Sequence, residues 1–253
     1  MDEKVPLVLF SGGLDSTYLL YTLLQEGDVD VFRVESINLA TDKQVAEGIA
    51  FNEVLGYFNE QFENKSIKGS IRFSKTIKIS ISGHSENIID FGQMPIWLFA
   101  ALHEVDEARH TSVNIGYVSG DQAASSTLAL NYAWDWLRVA CCPTRASVVL
   151  RFPLIHVDKE TILKTLPTKL RDLVWFCDSP EKHITLNLYM SCGKCTPCIR
   201  MSKEVFGMEL SWHKLDGFIP HTEDHLNHML DTDRERIEKK MQSMIDKDEM
   251  TIV

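Results

Sequence analysis

The stretch Leu7-Val8-Leu9-Phe10-Ser11-Gly12-Gly13-Leu14-Asp15-Ser16-Thr17 decides how the rest of the chain is interpreted. Its first four residues form an apolar run typical of a buried strand, and a helical pattern follows from Ser16 to Gln25. The two glycines between them let the backbone turn tightly and approach an anion closely. Backbone N–H groups at the start of such a helix, aided by the serine and threonine hydroxyl groups, predict a phosphate-binding loop. The alternative is a plain strand-to-helix turn with serine caps.

Short apolar runs and helical patterns alternate through the first two thirds of the chain. The apolar runs predict strands over Leu7 to Phe10, Val29 to Val34, Ile77 to Ile81, Ser112 to Val118 and Ser147 to Phe152. Further helices are predicted over Asp42 to Phe62, from Pro95 to Val105, and from Ser125 to Val139. This alternation predicts an α/β fold with a doubly wound, mainly parallel five-stranded sheet, which binds its ligand beyond the carboxyl ends of the strands.

The composition limits the kind of protein this can be. The chain has 253 residues, 44% of them hydrophobic and 25% charged, as in soluble globular proteins. Its formal net charge of -10 disfavours a nucleic-acid partner. No apolar run is long enough for a membrane span, and the start of the chain lacks the basic, small-residue pattern of a signal peptide. We therefore expect a cytoplasmic protein without a membrane partner.

Three cysteines lie in the short cluster Cys192-Gly193-Lys194-Cys195-Thr196-Pro197-Cys198, and Cys177 upstream is the natural fourth member. Four thiolates without a vacant position are typical of a structural zinc site. Two alternatives stay open, namely free buried thiols with a redox Cys-x-x-Cys, and an iron–sulfur cluster. With the change of pattern near Asp158, the spacing predicts three parts: an α/β domain over 1–157, a small helical zinc-binding region over 158–220, and a polar helix or tail over 221–253.

The string Ser-Gly-Gly-x-Asp-Ser-Thr resembles the pyrophosphate-binding loop of the N-type ATP pyrophosphatases, or PP-loop enzymes, whose fold is adenine nucleotide alpha-hydrolase-like. The resemblance implies cleavage of ATP between its α- and β-phosphates by a substrate oxygen. It implies that Asp15 helps to hold magnesium and that Asp15 and Ser16 act in catalysis. The implied ATP-binding residues are Ser11, Gly12, Gly13, Leu14, Asp15, Ser16, Thr17 and Gly116.

The cysteine cluster narrows this resemblance to the 7-cyano-7-deazaguanine synthase family, known as QueC, which has a C-terminal Cys…Cys-Gly-x-Cys-x-x-Cys. The segment from Pro153 to Thr161 is similar to that family's Pro-Leu…Asp-Lys-x-Glu. The resemblance implies a ligase that uses ATP, magnesium and zinc. Its substrates would be a 7-carboxy-7-deazaguanine-like carboxylate and ammonia, giving an amide and then a nitrile. A homodimer and a complex with a partner protein both stay open.

Three segments depart from the family pattern: Ser36 to Leu39, Gly92 to Met94, and Ser119 to Gln122. They predict retained ATP chemistry with an altered substrate pocket. Asp121, just past a predicted strand end, is a candidate acceptor for a guanine-like edge, with a simple turn residue as the alternative. Lys159 is a candidate cation for a phosphate or the substrate, with a surface charge as the alternative.

Other functions share some of these features. A PP-loop tRNA thiolase would use a Cys-x-x-Cys to carry sulfur, but the acidic charge disfavours an RNA substrate. A divergent QueC-like paralogue could serve in an anti-phage system, acting on a protein or nucleotide acceptor, or as a non-catalytic scaffold. The intact loop from Ser11 to Thr17 argues against lost catalysis.

Overall fold

The computed structural model describes residues 3–36, 42–79, 93–141, 147–183 and 188–201. The chain divides into two compact units, Met1–Phe176 and Cys177–Val253, and each is treated by itself. The division predicted from the sequence, at 157/158 and 220/221, stays a prediction. The polar tail over 221–253 lies outside the described residues, as does most of the departing segment after Ser36.

The first unit alternates strands and helices along the chain. Its elements are β1 (Val5–Leu9), α1 (Leu14–Glu26), β2 (Val29–Ser36), α2 (Asp42–Glu63), β3 (Ile71–Ile79), α3 (Gln93–Glu104), β4 (His110–Asn114), a 3₁₀ turn (Gln122–Ser126), α4 (Thr127–Cys141), β5 (Val149–Arg151), α5 (Lys159–Thr165) and α6 (Thr168–Arg171). The strands form one sheet in the order β3-β2-β1-β4-β5, and all neighbouring pairs are parallel. The predicted five-stranded α/β fold is confirmed.

The central strand β1 is buried on both faces, as expected of a parallel sheet covered by helices. Leu7 and Leu9 pack into a core that includes α3 and α4 residues. Val8 lies between them in the strand and is also completely buried. Because successive side chains of a strand point to opposite faces, Val8 fills the core on the other side.

The edge strand β3 begins at Ile71, six residues before the predicted start at Ile77. Its early positions carry exposed polar side chains, including Arg72 and Lys75. An edge strand buries fewer side chains than a central one, so an apolar run marks only part of its length. The sequence pattern therefore revealed the strand but not where it begins.

The two tryptophans of α4 have opposite environments. Trp134 is buried, and its indole N–H donates to the Val148 carbonyl oxygen at 3.0 Å. Trp136 is exposed. Residues two apart on a helix cannot share one face, so only one of the two tryptophans lies in the core.

At the amino ends of β2 and β4, a buried carboxylate joins two cationic or polar side chains. Arg109 donates from Nε and Nη2 to the two carboxylate oxygens of Asp30, and His110 Nε2 lies 3.0 Å from Asp30 Oδ2. The Asp106 N–H donates to His110 Nδ1 at 2.9 Å, so the ring proton is on Nε2 and points at Asp30. Burial would raise the pKa of Asp30, but the hydrogen bonds from His110 and Arg109 outweigh it and lower that pKa.

Replacing Asp30 by Asn is expected to lower the free energy of unfolding by about 2–3 kcal/mol near pH 7, because charge-assisted hydrogen bonds to Arg109 and His110 are lost. Since folding lowers the pKa of Asp30, the carboxylate contributes stability that is complete above its unfolded value of about 4. That contribution is lost as the pH falls through the lowered, folded value.

Urea unfolding should therefore show a stability difference between parent and Asp30→Asn that is constant above about pH 5 and shrinks below about pH 4. Asp28→Asn is the control, because an amide oxygen can still accept the bond that the Ser70 N–H donates to Asp28 at 2.7 Å. A difference that grows as the pH falls would contradict this account of Asp30.

The second unit is described over 177–183 and 188–201. It contains an antiparallel strand pair, β6 (Glu181–His183) and β7 (Leu188–Met190), and a short helix α7 (Thr196–Arg200). This strand pair was not predicted from the sequence. Across the described parts of both units, no helix combines the length and the apolar character that crossing a membrane requires.

Candidate active site and cysteine cluster

The strand order places a crevice at the middle of the sheet. From β1 the chain moves outward to β2 and β3, whereas β4 and β5 lie on the other side of β1. Such a reversal leaves an opening at the carboxyl ends of the two central strands, where ligands of doubly wound sheets bind. The loop 10–13 follows β1 and the segment 115–121 follows β4, so both lie at this opening.

Two serines hold the loop after β1 in shape. The hydroxyl groups of Ser11 and Ser16 are 3.1 Å apart, and Ser16 Oγ donates to the Gly13 carbonyl oxygen at 3.1 Å. The Gly13 N–H donates in turn to Ser11 Oγ at 3.3 Å. The loop is therefore ordered by its own side chains, which reduces the entropy lost when a ligand binds.

Gly12 fits this loop because it lacks a side chain. Its φ of +84° lies in the left-handed region that other residues rarely adopt. A Cβ atom at this position would meet the Phe51 backbone nitrogen of α2 at 2.7 Å. The Gly12 carbonyl oxygen also accepts a bond of 3.0 Å from the Trp175 N–H, and Gly13 pairs with Trp175 in a short parallel bridge. The loop is thus fixed between α2 and the segment after α6.

Gly12→Ala is expected to cost about 2–4 kcal/mol of stability, because it combines a strained φ with a backbone collision. Gly13→Ala is the matched control: its φ of -80° suits any residue, and the nearest atom to an added Cβ is 3.3 Å away. In thermal unfolding, Gly12→Ala should have a clearly lower melting temperature than Gly13→Ala. Equal melting temperatures would show that the loop accommodates a side chain at Gly12 by moving.

The start of α1 can hold an anion. The helix begins at Leu14, and its N-cap residue Gly13 supplies no side-chain acceptor for the first N–H groups. The N–H groups at the start of a helix, together with the positive end of the helix dipole, attract phosphate. Thr17 Oγ1 is buried in the first turn and has no hydrogen-bond partner within the described residues. These features fit the predicted role of Ser11 to Thr17 with a triphosphate.

Three residues predicted separately from the sequence meet at the crevice. Lys159 Nζ lies 2.8 Å from Asp15 Oδ2 and 3.6 Å from Asp121 Oδ1. All three side chains are about one-fifth exposed, with values of 19%, 22% and 20% for Lys159, Asp15 and Asp121. Lys159 starts α5, where Asp158 accepts a bond from the Thr161 N–H and caps the helix. Lys159 is therefore a fixed part of the crevice wall, not a surface charge.

Asp121 sits in a tight turn after β4. Its Oδ2 accepts a bond of 3.3 Å from the Val118 N–H, and Gly120 has a φ of +84°. The Ser119 N–H donates to the Val157 carbonyl oxygen at 2.8 Å, which ties this turn to the residues just before Lys159. The turn explains how Asp121 and Lys159 come together, and it gives Asp121 a structural role beside any role in binding.

Gly116 is packed against the loop backbone. A Cβ atom on Gly116 would lie 3.0 Å from the Asp15 carbonyl oxygen and 3.2 Å from Ser16 Cα. This glycine therefore lets the strand end approach the first turn of α1. The predicted direct contact of Gly116 with ATP stays a prediction.

An aromatic stack lies next to this turn. The Tyr117 ring stacks between Trp97 of α3, with a centroid distance of 6.2 Å, and Phe152, at 5.6 Å. The Tyr117 hydroxyl oxygen is buried and has no hydrogen-bond partner within the described residues. Burial, and then the nearby Asp121 carboxylate, raise the pKa of Tyr117 well above its usual range. The hydroxyl therefore stays protonated and can act as a hydrogen-bond donor.

The second unit brings the four predicted cysteines together. The sulfur atoms of Cys177, Cys192, Cys195 and Cys198 all lie within 4.8 Å of one another, and those of Cys177 and Cys195 are 3.9 Å apart. A tetrahedral zinc–thiolate site with bonds of about 2.3 Å has sulfur atoms about 3.8 Å apart, so the cluster fits a metal ion of that kind.

The local backbone prepares Cys177 for the thiolate form. A hydrogen bond from the Cys198 thiol lowers the pKa of Cys177, and the Cys192 N–H adds a bond of 3.2 Å to its sulfur. Backbone N–H groups commonly support thiolate ligands in this way, because they stabilise negative charge on sulfur. The four-cysteine cluster can therefore hold a metal ion.

Comparison with known proteins found sequence relatives and solved structures that resemble this chain. No family model matches the chain. The chain is 24% identical over 215 residues to a 7-cyano-7-deazaguanine synthase of Nautilia profundicola, a match that covers 77% of this chain and 90% of the relative. It is 23% identical over 230 residues to a 7-cyano-7-deazaguanine synthase of Leptospira biflexa, and this match covers 80% of this chain and 90% of the relative. Among solved structures, the U34-tRNA thiolase NcsA of Methanococcus maripaludis with its [4Fe-4S] cluster is 15% identical and superposes with a TM-score of 0.37. That match covers 68% of this chain and 57% of the thiolase chain.

The sequence relatives support an ATP-utilising enzyme of the PP-loop kind. The chain is, more closely, a divergent QueC-like protein, similar to the two 7-cyano-7-deazaguanine synthases. The resemblance inferred from its motifs is confirmed at this level.

Sequence reasoning missed some residues that shape the crevice. Trp175 supports the loop through its backbone, so its side-chain type gave no signal. Tyr117 lies in a predicted strand, and no sequence pattern indicated that its ring stacks between Trp97 and Phe152. The pairing of Asp15 with Lys159 spans 144 positions, and no local pattern could indicate it.

Proposed function

We propose that this protein is an ATP-dependent carbon–nitrogen ligase of the QueC type. It adenylates a 7-carboxy-7-deazaguanine-like carboxylate, and ammonia or another amine then attacks to give an amide, with dehydration to the nitrile as a further step. The observation that carries the proposal is the meeting of Asp15, Lys159 and Asp121 at the carboxyl edge of the sheet, beside the phosphate-binding loop.

The charges of this group suit a metal–triphosphate complex better than a bare anion. Two carboxylates around one ammonium give the group a net negative charge, which attracts a divalent cation. Carboxylate oxygens are the ligands that magnesium prefers in proteins. The start of α1 favours phosphate oxygens. Asp15 links the two because it lies in the first turn of α1.

The residues of this group have separate roles in the first step, the adenylation of the carboxylate. The loop Ser11 to Ser16 and the start of α1 hold the β- and γ-phosphates, which leave as pyrophosphate. Magnesium, held in part by Asp15, supplies positive charge at those phosphates. A carboxylate oxygen of the substrate bonds to the α-phosphorus as the bond from that phosphorus to the β-bridging oxygen breaks. Lys159 reduces the repulsion between the incoming carboxylate and the nucleotide.

The second step transfers nitrogen. The amine nitrogen bonds to the activated acyl carbon, AMP leaves with the former carboxylate oxygen, and the nitrogen loses a proton. The substrate's ring is held at the turn after β4, where Asp121 can accept N–H groups of a guanine-like edge and the Tyr117 hydroxyl can donate. Tight placement of the two reactants is the main source of rate in such a transfer.

The cysteine cluster takes a structural zinc ion in this proposal. Four thiolates saturate tetrahedral zinc and leave no position for a substrate. The metal would then stabilise the second unit, while the chemistry of ATP takes place on the first.

The deciding experiment incubates the protein with ATP, magnesium and 7-carboxy-7-deazaguanine, with and without ammonia. We expect AMP and pyrophosphate as the main nucleotide products, and an amide or nitrile detected by mass spectrometry only when ammonia is present. Formation of ADP and phosphate would rule out adenylation. AMP formation without any mass change of the deazaguanine would keep the ATP chemistry and reject this acceptor.

Asp121→Asn should weaken binding of 7-carboxy-7-deazaguanine at least about tenfold, because a charged acceptor for two N–H groups is replaced by a neutral one. The amide oxygen can still accept from the Val118 N–H, so the turn should be preserved. Isothermal titration gives the affinities. Glu160→Gln is the matched control, since it removes a carboxylate next to Lys159 that is exposed and pairs with Lys164. Equal affinity of Asp121→Asn and the parent would limit Asp121 to its role in the turn.

The alternative functions have less support. The charge of -10 disfavours the RNA substrate of a thiolase. Neither synthase relative is named for antiviral defence, so that alternative rests on no observation.

A further inference from the structure

The ammonium group of Lys159 lies between two carboxylates at the crevice. Its Nζ atom is 2.8 Å from Asp15 Oδ2 and 3.6 Å from Asp121 Oδ1. Carboxylate oxygens that converge on one point are also the surroundings in which a divalent cation of the magnesium type binds. Lys159 therefore places its own positive charge where a metal ion would otherwise lie.

The two carboxylates are held in place by contacts other than the one with Lys159. Asp15 lies in the first turn of α1, and its backbone is so close to the end of β4 that a Cβ atom on Gly116 would lie 3.0 Å from the Asp15 carbonyl oxygen. Asp121 Oδ2 accepts a bond of 3.3 Å from the Val118 N–H. Both carboxylates should therefore keep their positions when the ammonium group is removed.

Lys159 is anchored through its backbone, whereas its side chain can turn. It is the first residue of α5, which Asp158 caps through the Thr161 N–H and which packs against α1. A lysine side chain carries a point charge on a flexible four-carbon stem. Rotation about the bonds of this stem can carry the ammonium group away from the carboxylates while the helix stays where it is.

The ammonium group and a divalent cation exclude one another at Asp15. Both require the same carboxylate oxygen, and like charges a few ångströms apart repel one another in a partly buried site. With the ammonium group in place the three side chains carry one net negative charge, and without it they carry two. A metal ion on its own should therefore bind weakly to the nucleotide-free protein.

A bound triphosphate would provide a second position for the ammonium group. Asp15 lies in the same first turn of α1 whose N–H groups favour phosphate oxygens. Phosphate charge at this helix start would attract Lys159 away from Asp15, and the carboxylate of Asp15 would then be available to a metal ion. The phosphate oxygens would supply further ligands to the same ion.

We propose that Lys159 fills the cation position at Asp15 in the nucleotide-free protein, so that a divalent cation binds only together with the nucleotide. Lys159 is then a positioning residue that sets the order of binding. The inference rests on the proposed function in taking a triphosphate as the ligand at the start of α1, but its test requires no turnover.

Manganese retained with the protein on ultrafiltration tests the proposal, because Mn²⁺ prefers the same oxygen ligands as magnesium. Without nucleotide, Lys159→Met should bind Mn²⁺ at least about tenfold more tightly than the parent, since the repulsion from the ammonium group is gone. Lys159→Arg keeps the positive charge and should bind Mn²⁺ as weakly as the parent. Lys159→Gln gives a second neutral side chain and should repeat the result of Lys159→Met.

Two further variants locate the bound ion. The double variant Asp15→Asn with Lys159→Met should lose the affinity for Mn²⁺ that Lys159→Met gains. Glu160→Gln is the matched control, because Glu160 is exposed and pairs with Lys164, and it should bind Mn²⁺ like the parent. Thermal melting of each variant establishes that it is folded.

A nucleotide arm tests the second half of the proposal. The analogue α,β-methylene-ATP has no cleavable bond between its α- and β-phosphates, and adding it should make the parent retain both nucleotide and Mn²⁺. Retention of the nucleotide without Mn²⁺ would overturn this inference alone, whereas retention of neither would overturn the proposed function as well.

The arm without nucleotide has its own contradicting results. A parent that binds Mn²⁺ as tightly as Lys159→Met would show that the ammonium group does not exclude the metal. Neutral variants at Lys159 that are folded and gain no affinity would overturn the proposal, and so would a gain that survives in the double variant. A parent that shows the expected Mn²⁺ binding but forms no AMP with the deazaguanine substrate would reject the proposed reaction and leave this order of binding standing.

Discussion

Asp15→Asn is expected to lower the rate of AMP formation at least about a hundredfold. The substitution keeps the size of the side chain and removes the charge that would hold magnesium at the leaving pyrophosphate. Loss of one preorganised electrostatic group at a reacting centre is often worth this factor or more. Because Lys159 Nζ lies 2.8 Å from Asp15 Oδ2, the variant also frees the ammonium group from its nearest carboxylate.

Two measurements separate a catalytic effect of Asp15 from a structural one. The thermal melting temperature should fall only modestly, since Asp121 Oδ1 lies 3.6 Å from Lys159 Nζ and leaves the ammonium group with a carboxylate partner. The magnesium concentration required for half-maximal rate should rise in the variant. Glu160→Gln again serves as the control and should keep the parent rate. A loss of less than about threefold, at any magnesium concentration, would remove Asp15 from the chemistry.

Cys177→Ser is expected to abolish tight metal binding and to unfold the second unit selectively. Structural zinc contributes about 10–16 kcal/mol of apparent binding free energy in small domains, and that energy is coupled to folding. The parent should contain one zinc per chain by elemental analysis, and a chelator should reproduce the effect of the substitution. Limited proteolysis should then cut after residue 177 while the first unit resists.

Cys141→Ser provides the matched control, because Cys141 is exposed at the end of α4 and lies outside the cysteine cluster. It should retain the zinc and the proteolysis pattern of the parent. Zinc content and proteolysis unchanged in Cys177→Ser would place the fourth ligand elsewhere. Iron with a visible charge-transfer band in the parent would favour a cluster in place of zinc.

The layout of the sheet could be predicted because parallel strands buried on both faces leave unbroken apolar runs, as Leu7 to Phe10 does. The loop Ser11 to Thr17 could be predicted because glycines and hydroxyl groups fall together between a strand and a helix. The four cysteines could be grouped because three are close in sequence and the ligand number of zinc requires a fourth. In each case the prediction depends on residues close together in sequence or on the number of ligands that a metal ion takes.

The remaining features depend on contacts between distant parts of the chain. Lys159 was a candidate on its own, but its position between Asp15 and Asp121 follows from the turn at 118–121 and its bond to Val157. Trp175 acts through its peptide group, which is the same for every residue except proline.

The bond between Trp175 and the loop after β1 has a consequence for how the protein is made. A nascent chain that has emerged from the ribosome as far as β5 possesses all five strands, so its sheet can assemble. It still lacks Trp175, which holds Gly12, and Lys159, which holds Asp15. The loop 10–13 is therefore among the first segments to be synthesised and among the last to be completed. A chain cut off after Arg151 would contain all five strands, but the loop 10–13 could make its bond to the backbone of Trp175 only on chains whose synthesis has passed that residue.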